Sequence, residues 1–162
     1  MSNSKVKGRL GRNFQIAAIA LGACMAATTA FASECPADQK KPDARGPVDF
    51  KPVGVTDTVI ASIDVAKPPF NIKDRNFRMR KLTIEPMGIV PWHSHADRPA
   101  IIYIVEGEIV EYASNCAVPI VHKAGDVVAE TPEVSHWWKN LGDKTAVLIS
   151  ADLLKDANDK NM

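Results

Sequence analysis

"PWHSHADRPAIIYIVEGE", residues 91–108, sets two histidines one residue apart and then runs into an apolar stretch that ends at Gly107. Side chains on an extended strand alternate faces, so His93 and His95 look one way and Ser94 the other. Two imidazoles on one strand face are the beginning of a metal site. The run "AIIYIVEG" has the β-branched and aromatic content of a strand and the glycine of a turn. By the same alternation Ala100, Ile102 and Ile104 line the interior, with Tyr103 on the opposite face.

The rest of the chain has the same texture. The runs "DTVIASIDV", "RMRKLTIEP", "EIVEYAS", "VPIVHKAG", "DVVAETP", "SHWWKN" and "TAVLISADLL" are short β-type segments broken by turn residues. A spacing of about eight to twelve residues marks a sandwich or barrel of antiparallel strands. Only the tail, "DLLKDANDK", reads as a helical turn or a frayed end. With 162 residues and no internal repeat, the expectation is one all-β domain over residues 56–162. Residues 33–55, rich in Pro, Lys and Asp, read as an irregular arm.

Residues 1–32 are expected to be a cleaved signal peptide. Lys5, Lys7, Arg9 and Arg12 precede an apolar run that ends in Ala30-Phe31-Ala32, a small-x-small cleavage pattern. Leu21-Gly22-Ala23-Cys24 resembles a lipobox, so lipoprotein processing at Cys24 stays open beside cleavage after Ala32. The whole chain has 20 basic and 19 acidic side chains; without the 4 basic residues of the leader the balance is 16 − 19 = −3. That excludes the basic footprint of a nucleic-acid binder, and after cleavage no membrane association is expected. Two cysteines remain, Cys35 and Cys116, and in an oxidising compartment they suggest one bridge, against two free thiols. The expected location is periplasmic or secreted.

A second histidine stretch, "AGDVVAETPEVSHWWKN", places Asn140 four residues after His136. The two stretches together resemble the paired motifs of the cupin family. Gly88, His93, His95 and Gly107 match the first motif; Gly125, Asp126, His136 and Asn140 match the second. The resemblance implies a double-stranded β-helix, the cupin jelly-roll barrel, with its ligand cavity in the mouth. It also implies that His93, His95 and His136 ligate a metal. Three departures stand out. Gly88 lies one residue close to His93, Glu133 stands where the motif has a turn glycine, and Ala100 occupies the position of the glutamate ligand. Asp97 and Glu130 were the acids near enough to stand in, and neither is taken as a ligand; His122 is expected on the surface or an edge.

Three imidazoles suit a divalent transition metal, Zn, Fe, Mn, Cu or Ni, rather than Mg or Ca. The other reading is ordinary barrel histidines in a domain that has lost its metal. Without a carboxylate an ion would keep its full charge and favour a small anionic or chelating ligand. Ala100, Ile102, Ile104, Trp138 and Asn140 are the expected pocket, with Trp92 and Trp137 facing outward against another layer or, in a homodimer, a subunit partner. Arg80 and Arg98 are the candidates to meet a substrate carboxylate. No catalytic residue is assigned. Three functions fit: a dioxygenase-like metal enzyme acting on a small molecule, a hydroxide-using isomerase, lyase or hydrolase, and a non-catalytic periplasmic module that binds a metal or small ligand.

Overall fold

The structure is a computed structural model that describes residues 34–155. The expected leader, the Cys24 alternative and the last seven residues lie outside the described residues. Eight strands follow one another: β1 (Val53–Asp64), β2 (Asn76–Ser94), β3 (Ala100–Glu106), β4 (Glu108–Ala113), β5 (Ile120–Lys123), β6 (Val127–Glu130), β7 (Ser135–Lys139) and β8 (Ala146–Leu154). They pair antiparallel in the order β5-β4-β7-β2-β8-β3-β6, with β1 added on β2. The sheet curls into a jelly-roll half-barrel whose two edge strands are β5 and β6. At its end the sequence expectation fails, because Asp152, Leu153 and Leu154 are not helical. They complete β8 by pairing with Arg78, Phe77 and Asn76, and burial of Leu154 holds them there.

β2 positions the site, because one 19-residue strand serves both halves of the curl. Its first part, Asn76 to Ile84, pairs with β8, and its second part, from Ile89, pairs with β7. The corner lies between them at Pro86, Met87 and Gly88. Met87 takes a positive φ of 64°, and a β-carbon on Gly88 would lie 2.7 Å from the Glu85 carbonyl oxygen. Only glycine fits where the strand folds back so tightly. A second irregularity falls between Val90 and His93. It lets Val90, His93 and His95 all point inward, although strict alternation would separate Val90 from the histidines.

Leu82, Ile84, Val90, Ile102, Ile104, Ile109, Trp138, Ala146 and Leu148 form the buried core. A smaller cluster of Ala113, Cys116 and Ile120 lies beneath the N-terminal arm. Cys35 and Cys116 are bonded, Cα to Cα 5.8 Å, and Lys40 bridges to the Cys116 backbone. Trp137 is the layer contact expected of it. Its ring stacks on Tyr112 at 4.0 Å and meets Phe50 of the arm edge-on at 4.7 Å, while Arg45 lies over Tyr112 at 5.3 Å. The arm is therefore held by aromatic contacts as well as by the bridge.

Candidate metal centre

Adjacent strands bring the histidines together. His93 on β2 and His136 on β7 are direct cross-strand partners, and His95, just past the end of β2, joins them from two residues further along. Nε2 of His136 lies 3.2 Å from Nε2 of His93 and 3.2 Å from Nε2 of His95. All three rings are buried. Each has its other nitrogen occupied. Nδ1–H of His93 donates to the Pro91 carbonyl at 2.9 Å and that of His95 to the Arg98 carbonyl at 2.9 Å. His136 Nδ1–H donates to Glu111 Oε1 at 2.6 Å. These bonds fix one tautomer on every ring and leave three Nε2 lone pairs converging on one point.

The missing carboxylate is present, on another strand. Glu130 of β6 is the cross-strand partner of Ala100. Its Oε2 lies 3.4 Å from His136 Nε2 and 3.9 Å from His95 Nε2, and the residue is buried. The methyl group of Ala100 leaves room on β3 for the carboxylate that β6 supplies. Glu130 thus lies beside the three-histidine group and forms a second group with Glu111 and His136.

Glu111 on β4 was not expected at all. Besides accepting from His136 it accepts from His122 Nε2–H at 2.8 Å. His122 is on an edge strand as expected, but it faces inward, is buried, and stacks on Trp138 at 4.8 Å. The sequence signal for both acids is phase. In "EIVEYA" Glu111 falls between inward-facing Ile109 and Ala113, and in "VVAE" Glu130 shares a face with Val128.

Charge states follow from these surroundings. Burial, then the neighbouring His136, pushes His93 well below the usual imidazole range and His95 down to about 4. Burial works against the charged form of Glu111 too, but hydrogen bonds from His122 and His136 hold it at about 2. Burial pushes Glu130 up to about 7, with His136 pulling it down and Glu111 adding to the rise. His136 is raised despite its burial because Glu130 and Glu111 face it. His93 and His95 are thereby held as neutral nitrogen donors, beside His136 and two buried carboxyl groups.

A divalent ion fits. Bound at about 2.1 Å from each nitrogen, an ion separates neighbouring donors by roughly 3.0–3.4 Å. His136 Nε2 lies 3.2 Å from each of the other two nitrogens, and all three lie within 4.8 Å of one another. Three imidazoles with one carboxylate suit a first-row transition metal. Glu111 holds His136 in the orientation and basicity that metal-bound imidazoles receive from a carboxylate.

Two cavities flank these donors. A small one of about 20 Å³ is lined by His93, His95, Leu82, Ile102, Trp138 and Arg80. A larger one of about 340 Å³ is lined by Glu130, Glu111 and His122. Of the expected pocket residues, Ile102 and Trp138 do line the small cavity. Ala100 is buried beneath Glu130, and Ile104 is buried in the core. Asn140 lines neither cavity. Its amide donates to the Ile84 and Lys144 carbonyls and accepts from Gly142 N–H, closing the turn after β7.

Arg80 and Arg98 are both engaged by carboxylates of the barrel, although Arg80 also lines the small cavity. Asp152, from β8, accepts from Arg98 at 3.2 Å and from Arg78 at 3.0 and 2.8 Å, and Arg80 lies 3.3 Å from it. Arg80 also bonds Asp57 of β1. Both arginines are buried among acids of the barrel rather than solvated.

A curled antiparallel jelly roll with histidines from neighbouring strands converging inside it defines a small barrel with a cluster able to hold a metal ion. Residues 80–152 match the family model described as Cupin domain, which supports the resemblance to cupins read from the sequence. A predicted oxalate decarboxylase from Thermotoga maritima is similar in structure at TM-score 0.50 and 17% identity, covering 75% of this chain and 98% of that one. The cupin domain of Schizosaccharomyces pombe Cnp3 matches at TM-score 0.49 and 13% identity, over 67% and 70% of the two chains. A sugar phosphate isomerase of the cupin superfamily from Silicibacter pomeroyi matches at TM-score 0.48 and 16% identity, over 62% and 60%. No curated protein matches the chain. At these identities the likeness is one of fold.

Proposed function

We propose that the protein is an exported cupin metal enzyme, a dioxygenase-like oxidoreductase that acts on a small chelating molecule. The observation that carries this reading is the placement of the donor set between two unequal cavities. The apolar one, about 20 Å³, has room for a molecule of one or two heavy atoms. The other, about 340 Å³, is of the size that takes a small organic ligand. A reaction joining dioxygen to an organic substrate needs one site of each kind.

His93, His95, His136 and Glu130 would hold the ion. A redox-active divalent metal bound there supplies open coordination places and an electron-transfer centre. The protein's own part is preorganisation. Pro91, Arg98 and Glu111 fix the ring tautomers, Glu130 offsets part of the ion's charge, and Leu82, Ile102, Leu148 and Trp138 keep bulk water from the small cavity. The Cys35–Cys116 bond agrees with export to an oxidising compartment, and among the described residues no helix is long and apolar enough to cross a membrane.

Metal analysis of protein isolated from the periplasm, followed by oxygen uptake against catechols and β-dicarbonyls, tests the reading. Stoichiometric Fe, Mn, Cu or Ni with substrate-dependent uptake is expected. Bound metal with no uptake across the panel would leave a binding module instead.

A further inference from the structure

The larger cavity is not the mouth of the barrel. It is the seam of the half-barrel, the slot between edge strands β5 and β6, which end the sheet on opposite sides and do not pair with each other. His122 of β5 and Glu130 of β6 form its two walls, Glu111 of β4 lies between them, and Glu34 and Lys40 of the disulfide-held arm complete it.

The chemistry of that lining is one-sided. His122 and Glu130 are buried, 1% and 3% exposed, and each keeps one polar atom with no hydrogen-bond partner among the described residues, His122 Nδ1 and Glu130 Oε1. On a neutral imidazole and an ionised carboxylate both atoms are acceptors. His122 gives its Nε2–H to the ionised Glu111, so its Nδ1 carries a lone pair, and Glu130 turns Oε2 toward the histidines. Buried acceptors without donors cost about 1–3 kcal/mol each, and a ligand that supplies donors recovers that cost. The charged lining residues are Glu34, Glu111 and Glu130 against Lys40 alone, which disfavours an anion.

We infer that the β5/β6 seam is a binding site for a small neutral molecule bearing hydroxyl groups, which donates to His122 Nδ1 and Glu130 Oε1. This rests on the metal-enzyme reading above and names its substrate class. It replaces the anionic ligand that a site lacking a carboxylate would favour.

The test uses catechol as the hydroxyl probe and 1,2-dimethoxybenzene as a probe with the same ring and oxygens but no O–H. Both are titrated at pH 8 into zinc-loaded and into metal-free protein, with tryptophan fluorescence as the readout, because His122 stacks on Trp138. Catechol is expected to bind at least tenfold more tightly than the ether in both forms. His122→Phe keeps the stack and should bring the ratio close to one. Thr131→Trp, at the slot wall, should abolish saturable catechol binding with zinc content unchanged. Equal affinity for the two probes, or catechol binding that survives both substitutions, overturns the inference; the second outcome would mean chelation by another route and leave the metal reading standing. If zinc does not bind, the metal reading fails, and the metal-free titration alone judges the seam.

Discussion

The barrel buries two polar networks that share few features. Around Asp152, three arginines face two carboxylates. Asp152 and Asp57 between them face Arg78, Arg80 and Arg98. Around His136, three imidazoles and two carboxylates present lone pairs to one another, at 3.2 Å between nitrogens and 3.4 Å from nitrogen to carboxylate oxygen. The first network sets guanidiniums against carboxylates, and the second gathers imidazole nitrogens and carboxyl oxygens around one point. A closed network of buried charges holds strands in place; an open one of donors is complete only with an ion.

The contrast can be broken from the closed side first. Asp152→Ala leaves two buried guanidiniums, Arg80 and Arg98, and the half-buried Arg78 around a missing acid, and removal of one partner from a buried charge network costs about 3–5 kcal/mol. Chemical denaturation of the variant should show that loss even in metal-free protein. An unchanged midpoint would mean that the cluster is not a structural unit.

The open side should respond in the opposite sense. His93→Ala, His95→Ala or His136→Ala each removes a donor from a set with one too many lone pairs. Metal content is expected to fall below a tenth of the parent's, while metal-free His93→Ala and His95→Ala lose less stability than Asp152→Ala; His136→Ala also removes a hydrogen bond from buried Glu111. Elemental analysis and denaturation of the same samples separate the two quantities. A metal-free variant that unfolds as readily as Asp152→Ala would erase the distinction between the networks.

Between these networks and solvent lies the arm. Its bridge closes a loop of sequence separation 81, for which chain entropy gives on the order of 4 kcal/mol. The aromatic contacts of Phe50 and Arg45 with Trp137 and Tyr112 hold the arm independently. Cys35→Ser is therefore expected to lower Tm by the same amount as reductant does on the parent, with metal content retained. Two free thiols in unreduced, unfolded protein would show that the bridge does not form.

What could be read from the sequence divides along a physical line. Local periodicity carries strand identity, so "AIIYIVEG" and "SHWWKN" read as strands and His93 with His95 as one face. Pairing between strands is not written in local periodicity. Glu130 becomes a ligand candidate only because β6 lies beside β3 in the register that sets it opposite Ala100, and no count along one strand gives that. The same holds for His122, whose inward face depends on β5 pairing with β4, and for Arg80 and Arg98, whose acids come from β1 and β8. Asn140 follows the alternation of β7 but lies just past its end, where the chain turns and the amide closes the turn. The continuity of β2 through Pro86 and Met87 was hidden because a corner between two sheet halves resembles a strand end.

The smallest change with the sharpest consequence exchanges one pair. If the glutamate ligand has moved across the β3/β6 ladder from position 100 to position 130, then Glu130→Ala should lower metal affinity about 10–100-fold, the scale seen when a partner of a metal site is lost. Ala100→Glu alone should not help, because it sets a second carboxylate directly opposite Glu130, a like-charge cross-strand pair. The double variant Ala100→Glu/Glu130→Ala, titrated with metal beside both single variants, is the most direct measurement. Recovery to within a few-fold of the parent affinity is the result predicted here. A double variant as weak as Glu130→Ala, with its fold intact, would contradict the placement of these two positions in one ligand shell.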